Sequence, residues 1–357
     1  MLTLRALAIA AGIVLVAVTL IDVFQSVVVP RAVGRLFRPS YYLSRANWTF
    51  WPRMAWWVYP RNDAKREDLL AMYAPFNLVL LLMFWSFLLL VGYGTIFFAM
   101  RSDVQPQLHT IFEAYYFAGT SFFTIGFGDF VGHSGWTRLT SLAAGASGFG
   151  IISTTTAYLF AIFGAFQTRE QFVVSVGAAA GSPPSGIGLL EIAKHAGTDG
   201  DLPTLMRDAQ RWAATLMETH LAYPILSYFR SSHDYESWVG TLGTLLDAAT
   251  LAISTIDAPA GQHKIFYNIG RHATYDLAHY FHLDVEGGPV GITRAEFDAA
   301  CDRLIAGGYA LREREAAWAK FSELRRDYAA NLNALARFFQ SPPLQWVGDR
   351  SFLMPPH

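Results

Sequence analysis

Three long apolar stretches mark the first half of the chain, and shorter segments with helical periodicity fill the second half. The apolar stretches are Leu4–Val29, Pro75–Met100 and Leu139–Phe166. At about 1.5 Å per residue, a helix over each stretch is long enough to cross a bilayer. The pattern predicts an all-α membrane protein with three spans and a soluble helical part after them.

The first apolar stretch has a rival interpretation as a cleaved signal peptide, because Arg5 before an apolar run is typical of such peptides. We favour a span, since the run continues past Asp22 to Pro30 without a small-x-small cleavage site. An acid inside a span is costly, so Asp22 has either a partner such as an arginine or a position near the helix end that reaches the interface. We favour the second interpretation.

The segment 31–74, between the first two spans, combines basic and aromatic residues. Its Lys and Arg residues outnumber its acidic residues by eight to three, which predicts a cytoplasmic loop. Three crossings then place the N-terminus outside and the C-terminus in the cytoplasm. Interleaved Trp, Tyr and Arg residues fit a segment that lies along the membrane surface or, equally, a packed elbow.

Composition agrees with a membrane protein that carries a soluble part. Hydrophobic residues make up 53% of the chain and charged residues 15%, with a net charge of -1. No dense basic run indicates nucleic-acid binding. The one cysteine, Cys301, excludes an intrachain disulfide framework and fits a reducing cytoplasm. No G-x-S-x-G, H-E-x-x-H or P-loop motif supports an enzyme, and we predict none.

Between the second and third spans lies a segment, Gln107–Phe123, that is too short to cross a bilayer. It predicts a re-entrant helix, which is tolerated only inside protein. The helix runs into Thr124–Asp129, where Gly126 and Gly128 alternate with larger residues. Alternate glycines let consecutive carbonyls point toward one axis, and a ring of such segments can replace the water shell of an ion.

The run Thr124-Ile125-Gly126-Phe127-Gly128-Asp129 resembles the TVGYGD filter of the potassium channel family. It is most similar to the second filters of two-pore-domain potassium channels, which often have Phe at the place of Phe127. Counted from Asp129, Trp136 and Arg138 fall where simple two-span bacterial channels have a Trp and an Arg. The likeness covers about Pro75–Gln171 and implies an outer helix, a pore helix, a filter and an inner helix.

The resemblance also implies roles for individual residues. Dehydrated potassium ions, with no other cofactor, are expected at the carbonyls of the filter, which comprises Thr124, Ile125, Gly126, Phe127 and Gly128. Asp129, Thr120 and Tyr116 are expected to support it. Two positions depart from the family: Phe127 lacks a bracing hydroxyl, and Thr120 stands where some relatives have a Glu. These departures put filter stability during long opening in doubt, whereas selectivity is backbone chemistry.

On the inner helix, Gly148 falls at the hinge glycine of simple bacterial channels. Equally, small residues there permit close helix packing. From Gly148, helical spacing predicts one face that lines a cavity and closes a gate. That face comprises Phe149, Ile152, Ser153, Thr156, Phe160, Phe163 and Gly164. The alternative is that the phenylalanines point to lipid or to the outer helix.

The predicted domains are an N-terminal span (1–30), the interfacial segment (31–74), the pore domain (75–171), a linker (172–189) and a helical cytoplasmic domain (190–357). In the last we expect five or six helices and little strand. Thr293 and Glu296 form a capping box, and Gly307-Gly308 supplies the stop. The candidate helices are Leu205–Phe229, Tyr235–Ser254, Lys264–Phe281, Arg294–Ala306 and Arg314–Phe339.

Each chain has one filter, so a complete ring requires three identical partner subunits. The sequence predicts a homotetrameric, potassium-selective channel in the cell membrane, regulated by a cytoplasmic domain whose ligand is unknown. His133, beyond Asp129, is a candidate sensor of external pH, with an ordinary loop histidine as the alternative. Two other functions stay open: a weakly selective cation channel, and a membrane-tethered sensor with a vestigial filter.

Overall fold

The computed structural model describes residues 2–29, 37–233, 235–283, 285 and 291–347. The first helices are α1 (Leu2–Val23), α2 (Pro39–Val58), α3 (Asp63–Ala71), α4 (Tyr73–Ala99), α5 (Ile111–Phe122) and α6 (Gly135–Ala180). They are followed by α7 (Gly186–His195), α8 (Leu202–Ala222), α9 (Trp238–Ser254), α10 (Gly261–Tyr280), α11 (Arg294–Ala306), α12 (Arg314–Arg326) and α13 (Ala329–Phe338). Two short antiparallel strands are β1 (Val104–Gln105) and β2 (Val131–Gly132). The all-α prediction is confirmed.

Three helical segments are long and apolar enough to cross a membrane: Thr3–Val28, Asp63–Ala99 and Gly135–Ala180. They coincide with the three apolar stretches of the sequence. The chain divides into two compact units. The first unit comprises Met1–Trp51 and Met72–Ile162, and the second unit comprises Pro52–Ala71 and Phe163–His357.

Helices α1 and α4 of the first unit pack closely because glycines face each other. A Cβ atom added at Gly12 would lie 2.8 Å from the carbonyl oxygen of Gly92, and one at Gly92 would lie 3.2 Å from that of Gly12. Small residues allow such backbone approach between apolar helices. At the start of α1, Arg5 Nε donates to the carbonyl of Ala99 at 2.7 Å. The two helices are therefore joined along their length.

Asp22 lies near the end of α1, but it does not reach an interface. It is 1% exposed and accepts three hydrogen bonds. Ser40 donates its amide at 3.1 Å and its hydroxyl at 2.7 Å, and Trp85 Nε1 donates at 2.9 Å. The interpretation that we favoured was wrong, because hydrogen bonds from α2 and α4 satisfy the buried carboxylate in place of water.

The segment between α1 and α4 forms helices α2 and α3. On one face of α2, Trp48 and Trp51 are buried, and their rings lie 4.7 and 5.8 Å from the ring of Tyr73. On another face, Phe50 and Trp57 are exposed, Trp57 by 84%. The prediction of a packed elbow therefore fits the first face of α2. The second face is exposed and aromatic, as predicted for a segment that lies along the membrane surface.

The boundary of the second unit differs from the predicted linker 172–189. Helix α6 continues through it to Ala180, because Val173 and Val176 are buried in the hydrophobic core of this unit. The break is confined to 181–185, where Gly181 has a positive φ of 86° and the Ser185 hydroxyl caps α7 by accepting from the amide of Gly188. Helix α7 was not predicted, since its glycines and those of the turn indicated a loop.

The other helices of the second unit follow the sequence pattern, with two changes. Helix α11 has the predicted bounds, and its capping box of Thr293 and Glu296 is confirmed. Helix α8 ends at Ala222 because Pro224 follows and restricts Tyr223 to a non-helical conformation. The stretch predicted as one helix from Arg314 is two helices, α12 and α13, which meet at 327–328.

The hydrogen bonds of Asp22 generate a stability prediction. Asp22→Ala leaves three buried donor groups of Ser40 and Trp85 without an acceptor, so we expect a loss of about 1–3 kcal/mol in the free energy of unfolding. Asp22→Asn keeps one acceptor oxygen and should cost less. Thermal unfolding of the purified protein in detergent measures both changes.

Asp68→Ala provides the matched control, because Asp68 is an exposed acid on α3. It should leave the melting temperature within the error of the wild type. Equal melting temperatures for Asp22→Ala and Asp68→Ala would contradict a stabilising role for the buried carboxylate.

Candidate functional site

Helix α5 is the short helix that precedes the glycine-containing run. It begins at Ile111, four residues after the predicted Gln107, because Thr110 is its N-cap and the Thr110 hydroxyl accepts from the amide of Glu113 at 3.2 Å. The Glu113 carboxylate accepts in return from the amides of Thr110 at 3.2 Å and His109 at 2.6 Å. This capping box fixes where the helix starts. Helix α5 then ends at Phe122, so the partial negative charge of its carboxyl end lies beside Thr124.

Backbone amides at the start of the run Thr124–Asp129 point back to α5. Ile125 N and Gly126 N both donate to the carbonyl of Thr120, at 2.9 and 3.3 Å, and Thr124 N donates to that of Ser121 at 3.1 Å. Positive φ angles recur at alternate residues: 55° at Thr124, 62° at Gly126 and 79° at Gly128. Alternating backbone handedness directs successive carbonyls to one side, as expected from the glycine spacing.

The carbonyl oxygens of this run are open. Within the described ranges, no backbone amide or side chain donates a hydrogen bond to the carbonyls of 124–128. Carbonyls that no protein group engages remain free to bind water or a cation, so this row of oxygens is suited to a cation. The expected coordinating residues are thus brought together: Thr124, Ile125, Gly126, Phe127 and Gly128.

The run lies on an exposed face of the first unit. All residues from Phe123 to Asp129 are exposed, including Ile125 at 52% and Phe127 at 69%. Exposed apolar side chains clustered in this way mark a contact surface for protein or lipid.

The three expected supporting residues lie next to the run. Thr120 is buried, its hydroxyl donates to the carbonyl of Phe117 at 3.1 Å, and its own carbonyl receives the two amides described above. The Tyr116 hydroxyl and the carboxylate of Asp129 lie close enough to interact electrostatically. Tyr116 and the closing Asp are thus neighbours in the first unit.

Contacts that the sequence did not predict hold the outer end of the run. Strand β2 pairs with β1, and the amide of His133 donates to the carbonyl of Asp103 at 2.8 Å. The Thr137 hydroxyl also donates to Asp103, at 3.2 Å, and Arg138 Nε donates to the carbonyl of Gly132 at 3.0 Å. The side chain of His133 is exposed. Two-residue strands give no periodic signal, so the sequence pattern could not predict this anchor.

Gly148 of α6 lies against the carboxyl end of α5. A Cβ atom at Gly148 would lie 1.8 Å from the carbonyl oxygen of Phe122, and one at Gly145 would lie 3.3 Å from that of Ser121. Next to them, the Tyr93 hydroxyl and the Ser147 hydroxyl are 2.8 Å apart. The packing role of Gly148 is therefore visible, and its role as a hinge stays a prediction because α6 is a continuous helix here.

The predicted cavity and gate residues occupy one exposed side of α6 in the single chain. Within the first unit these are Phe149, Ile152, Ser153, Thr156 and Phe160. The Thr156 hydroxyl donates to the carbonyl of Ile152 at 2.8 Å, which leaves its oxygen available as an acceptor. In the second unit, Phe163 packs edge-on against Phe229 at 6.0 Å between ring centroids. Phe163 thus has a partner that the sequence could not show.

The contact at Gly148 predicts an unusual cost for a single methyl group. Gly148→Ala must displace the Phe122 carbonyl and with it the end of α5, so we expect a fall in melting temperature equivalent to about 2 kcal/mol or more. Gly150→Ala is the matched control, since a Cβ there meets no atom within 4 Å. It should stabilise α6 slightly, as Ala favours helix over Gly.

Thermal unfolding of the two variants checks this prediction. Equal melting temperatures for Gly148→Ala and Gly150→Ala would contradict the close contact. Equal values would instead favour a hinge role for Gly148, in which an added methyl group does not destabilise the folded state and affects only the motion of α6.

Comparison with known proteins places these residues in context. Residues 78–165 match the family model described as ion channel. The chain is 26% identical over 189 residues to an uncharacterized membrane protein of Bacillus subtilis, YdjJ. That similarity covers 51% of this chain and 54% of the relative, so the chain spans about half the length of the curated relative it matches. No solved structure matches significantly. The family match and the three apolar helices support an ion channel within a membrane protein.

Proposed function

We propose that the chain forms a potassium-selective channel with four identical subunits. The observation that carries the proposal is the row of open carbonyls at 124–128, whose preceding amides are bound to the end of α5. Carbonyl oxygens held in this way replace the hydration shell of an ion without needing to reorganise when it arrives. The likeness of the run to potassium-channel filters makes potassium the expected ion.

The tetramer follows from the number of filters. Each chain contributes one row of carbonyls, and an ion on an axis needs oxygens on all sides. A closed ring of identical chains supplies these oxygens. Four copies match the arrangement in the potassium channel family, which the run resembles. The exposed apolar side chains of Ile125 and Phe127 become covered by neighbouring copies in such a ring.

The basic segment 31–74 supports an orientation with its residues and the second unit in the cytoplasm. The filter then opens to the outside at Asp129. Ions enter past the Tyr116–Asp129 pair, lose water at successive carbonyls and leave at Thr124, whose hydroxyl adds a further oxygen. The carboxyl end of α5 favours a cation there. Below it, the Thr156 hydroxyl faces hydrated ions, and Phe160 narrows the cavity toward the cytoplasm.

Two chain connections support regulation by the second unit. Helix α6 runs without interruption from the first unit into the second, where Arg169 is buried and donates to the carbonyls of Leu226 and Phe229 at 2.9 and 2.8 Å. Helix α3 also belongs to the second unit and is followed directly by α4. Movement within the second unit can therefore act on the outer and inner helices through the chain itself.

Arg230 fixes α3 within the second unit. Its guanidinium lies 2.8 Å from the carboxylate of Glu67 and donates to the carbonyls of Phe339 and Gln340, each at 2.8 Å. Burial lowers the pKa of Arg230. A buried guanidinium needs its carboxylate partner, so the Glu67–Arg230 pair connects α3 to the carboxyl end of α13.

The first test measures selectivity. The purified protein in planar bilayers, with potassium on one side and sodium on the other, should give a reversal potential close to that of potassium. Equal permeability would favour the weakly selective cation channel, and a wild type that inserts without current would favour the sensor with a vestigial filter. Mass photometry should show four chains, and a dimeric particle would contradict the tetramer.

The second test separates regulation from conduction. Glu67→Gln removes the charge that compensates Arg230, so we expect the open probability to change by about fivefold, as for a coupling near 1 kcal/mol. The reversal potential should not move, because the filter is built from backbone of another unit. Asp68→Asn, an exposed neutralisation one residue away, is the matched control. Identical gating in both variants would contradict coupling through α3.

A further inference from the structure

A patch of basic and aromatic side chains lies at the start of α2, outside the residues that match the ion-channel model. We call it the corner patch, and it comprises Phe37, Arg38, Tyr41, Tyr42 and Arg45. Arg38 is half-buried and the other four are exposed, from 42% at Tyr41 to 67% at Phe37 among the rings. The Tyr42 ring lies 6.0 Å from that of Phe37 and 5.6 Å from that of Tyr41. The three rings therefore form one aromatic surface between two arginines.

The two arginines of the corner patch have no compensating charge among the described residues. Arg38 Nη2 donates to the Ser26 hydroxyl at 3.2 Å, and Arg45 Nη1 donates to the Tyr41 hydroxyl at 3.1 Å. Both acceptors are neutral, so they orient the guanidinium groups without neutralising them. Two positive charges are left to attract an anion, and a guanidinium matches the geometry of a phosphate group.

The sequence around the corner patch contains no acid that supplies the missing charge. Between Asp22 and Asp63 there are six arginines and no Asp or Glu. Asp22 itself is buried and accepts its hydrogen bonds from Ser40 and Trp85, so it forms no ion pair with the patch. A basic segment directly next to a span is typical of proteins that bind anionic lipid headgroups.

Hydrogen bonds to two spans place the corner patch at the level of the membrane surface. Within α2, Ser40 binds Asp22 near the end of the first span. One turn further along, the carbonyl of Ser44 accepts from the Tyr73 hydroxyl at 3.0 Å, two residues before the apolar stretch that begins at Pro75. The patch thus lies where the apolar parts of α1 and α4 end. Lipid headgroups occupy this level, and aromatic side chains are enriched there.

The charge of the headgroup decides which lipid fits. A zwitterionic lipid such as phosphatidylcholine carries its own cation beside the phosphate, which weakens the attraction of two uncompensated guanidinium groups. A lipid with a net negative headgroup leaves its phosphate charge to the protein. The exposed rings beside the arginines suit the boundary between headgroups and acyl chains.

We propose that the corner patch binds anionic phospholipids, whose phosphate oxygens accept from Arg38 and Arg45 while the rings of the patch lie against the adjoining acyl chains. The inference requires that the chain spans a membrane, and it does not depend on which ion the chain conducts. It assigns a partner to the first part of α2. Since α2 is followed by α3 and α4, lipid bound here acts on the segment that precedes the second span.

The test measures lipid affinity by native mass spectrometry of the full-length protein in detergent with added phosphatidylglycerol or phosphatidylcholine. Each guanidinium near an anionic headgroup contributes about fivefold, so the wild type should bind phosphatidylglycerol about twentyfold more tightly. Joint replacement by Arg38→Gln and Arg45→Gln should remove most of this preference and leave the affinity for phosphatidylcholine unchanged. Arg38→Lys with Arg45→Lys should keep most of it, because the charges remain.

The matched control is Arg207→Gln with Arg326→Gln, which removes the same charge from exposed positions of the second unit and should keep the preference. Arg45→Gln alone protects the test against a double variant that does not fold, since this side chain is exposed; it should lower the preference about fivefold.

Three results would overturn the proposal. The first is equal affinity of the wild type for both lipids, which would leave the corner patch to an acidic protein segment. The second is a wild-type preference in both variants that lack Arg45. The third is an equal loss of preference in the control variant, which would show that net charge alone attracts the lipid.

Discussion

The geometry of the run Thr124–Asp129 depends on one carbonyl group. Thr120 O receives the amides of both Ile125 and Gly126, so the end of α5 orients the backbone at the start of the run. Because these amides point into the protein, the carbonyls of the same peptide groups face the other way. The capping box at Thr110 and the anchor at Asp103 hold the two sides of this arrangement. The geometry of the run is thus a property of helix termini and backbone, and it needs no hydroxyl group on the side chain of Phe127.

Features encoded locally were predictable. The three spans follow from apolar length, and α11 follows from a capping box and two glycines. The backbone conformation of the run was predictable because glycine spacing and positive φ angles are linked. Contacts between distant segments were not predictable: Asp22 meets Ser40 and Trp85, which no periodicity relates to it. The turn at Gly181 looked like a linker because composition cannot distinguish a tight turn in a packed unit from a flexible connection.

The segment between the first two spans is divided between the two compact units. Its first part shares the aromatic contacts of Tyr73, and its second part packs within the second unit, where Arg66 stacks on Trp56 at 3.8 Å and Trp56 Nε1 lies 3.5 Å from Gln340. The basic and aromatic composition was interpreted as a segment along the membrane surface or, equally, as a packed elbow, and the contacts of Trp48, Trp51 and Arg66 fit the elbow. A guanidinium over an indole ring serves either purpose, so composition alone does not assign it.

The contact between Gly148 and Phe122 couples the movement of α6 to the movement of the end of α5. Phe122 is two residues from Thr120, whose carbonyl orients the start of the run. The carbonyl of Phe122 contacts α6 at Gly148, where no side chain separates the two backbones. Any rotation or bend of α6 at this level moves an atom against that carbonyl. A displacement of α6 at this level therefore displaces the end of α5, and a displacement of the backbone that follows α5 acts in turn on α6.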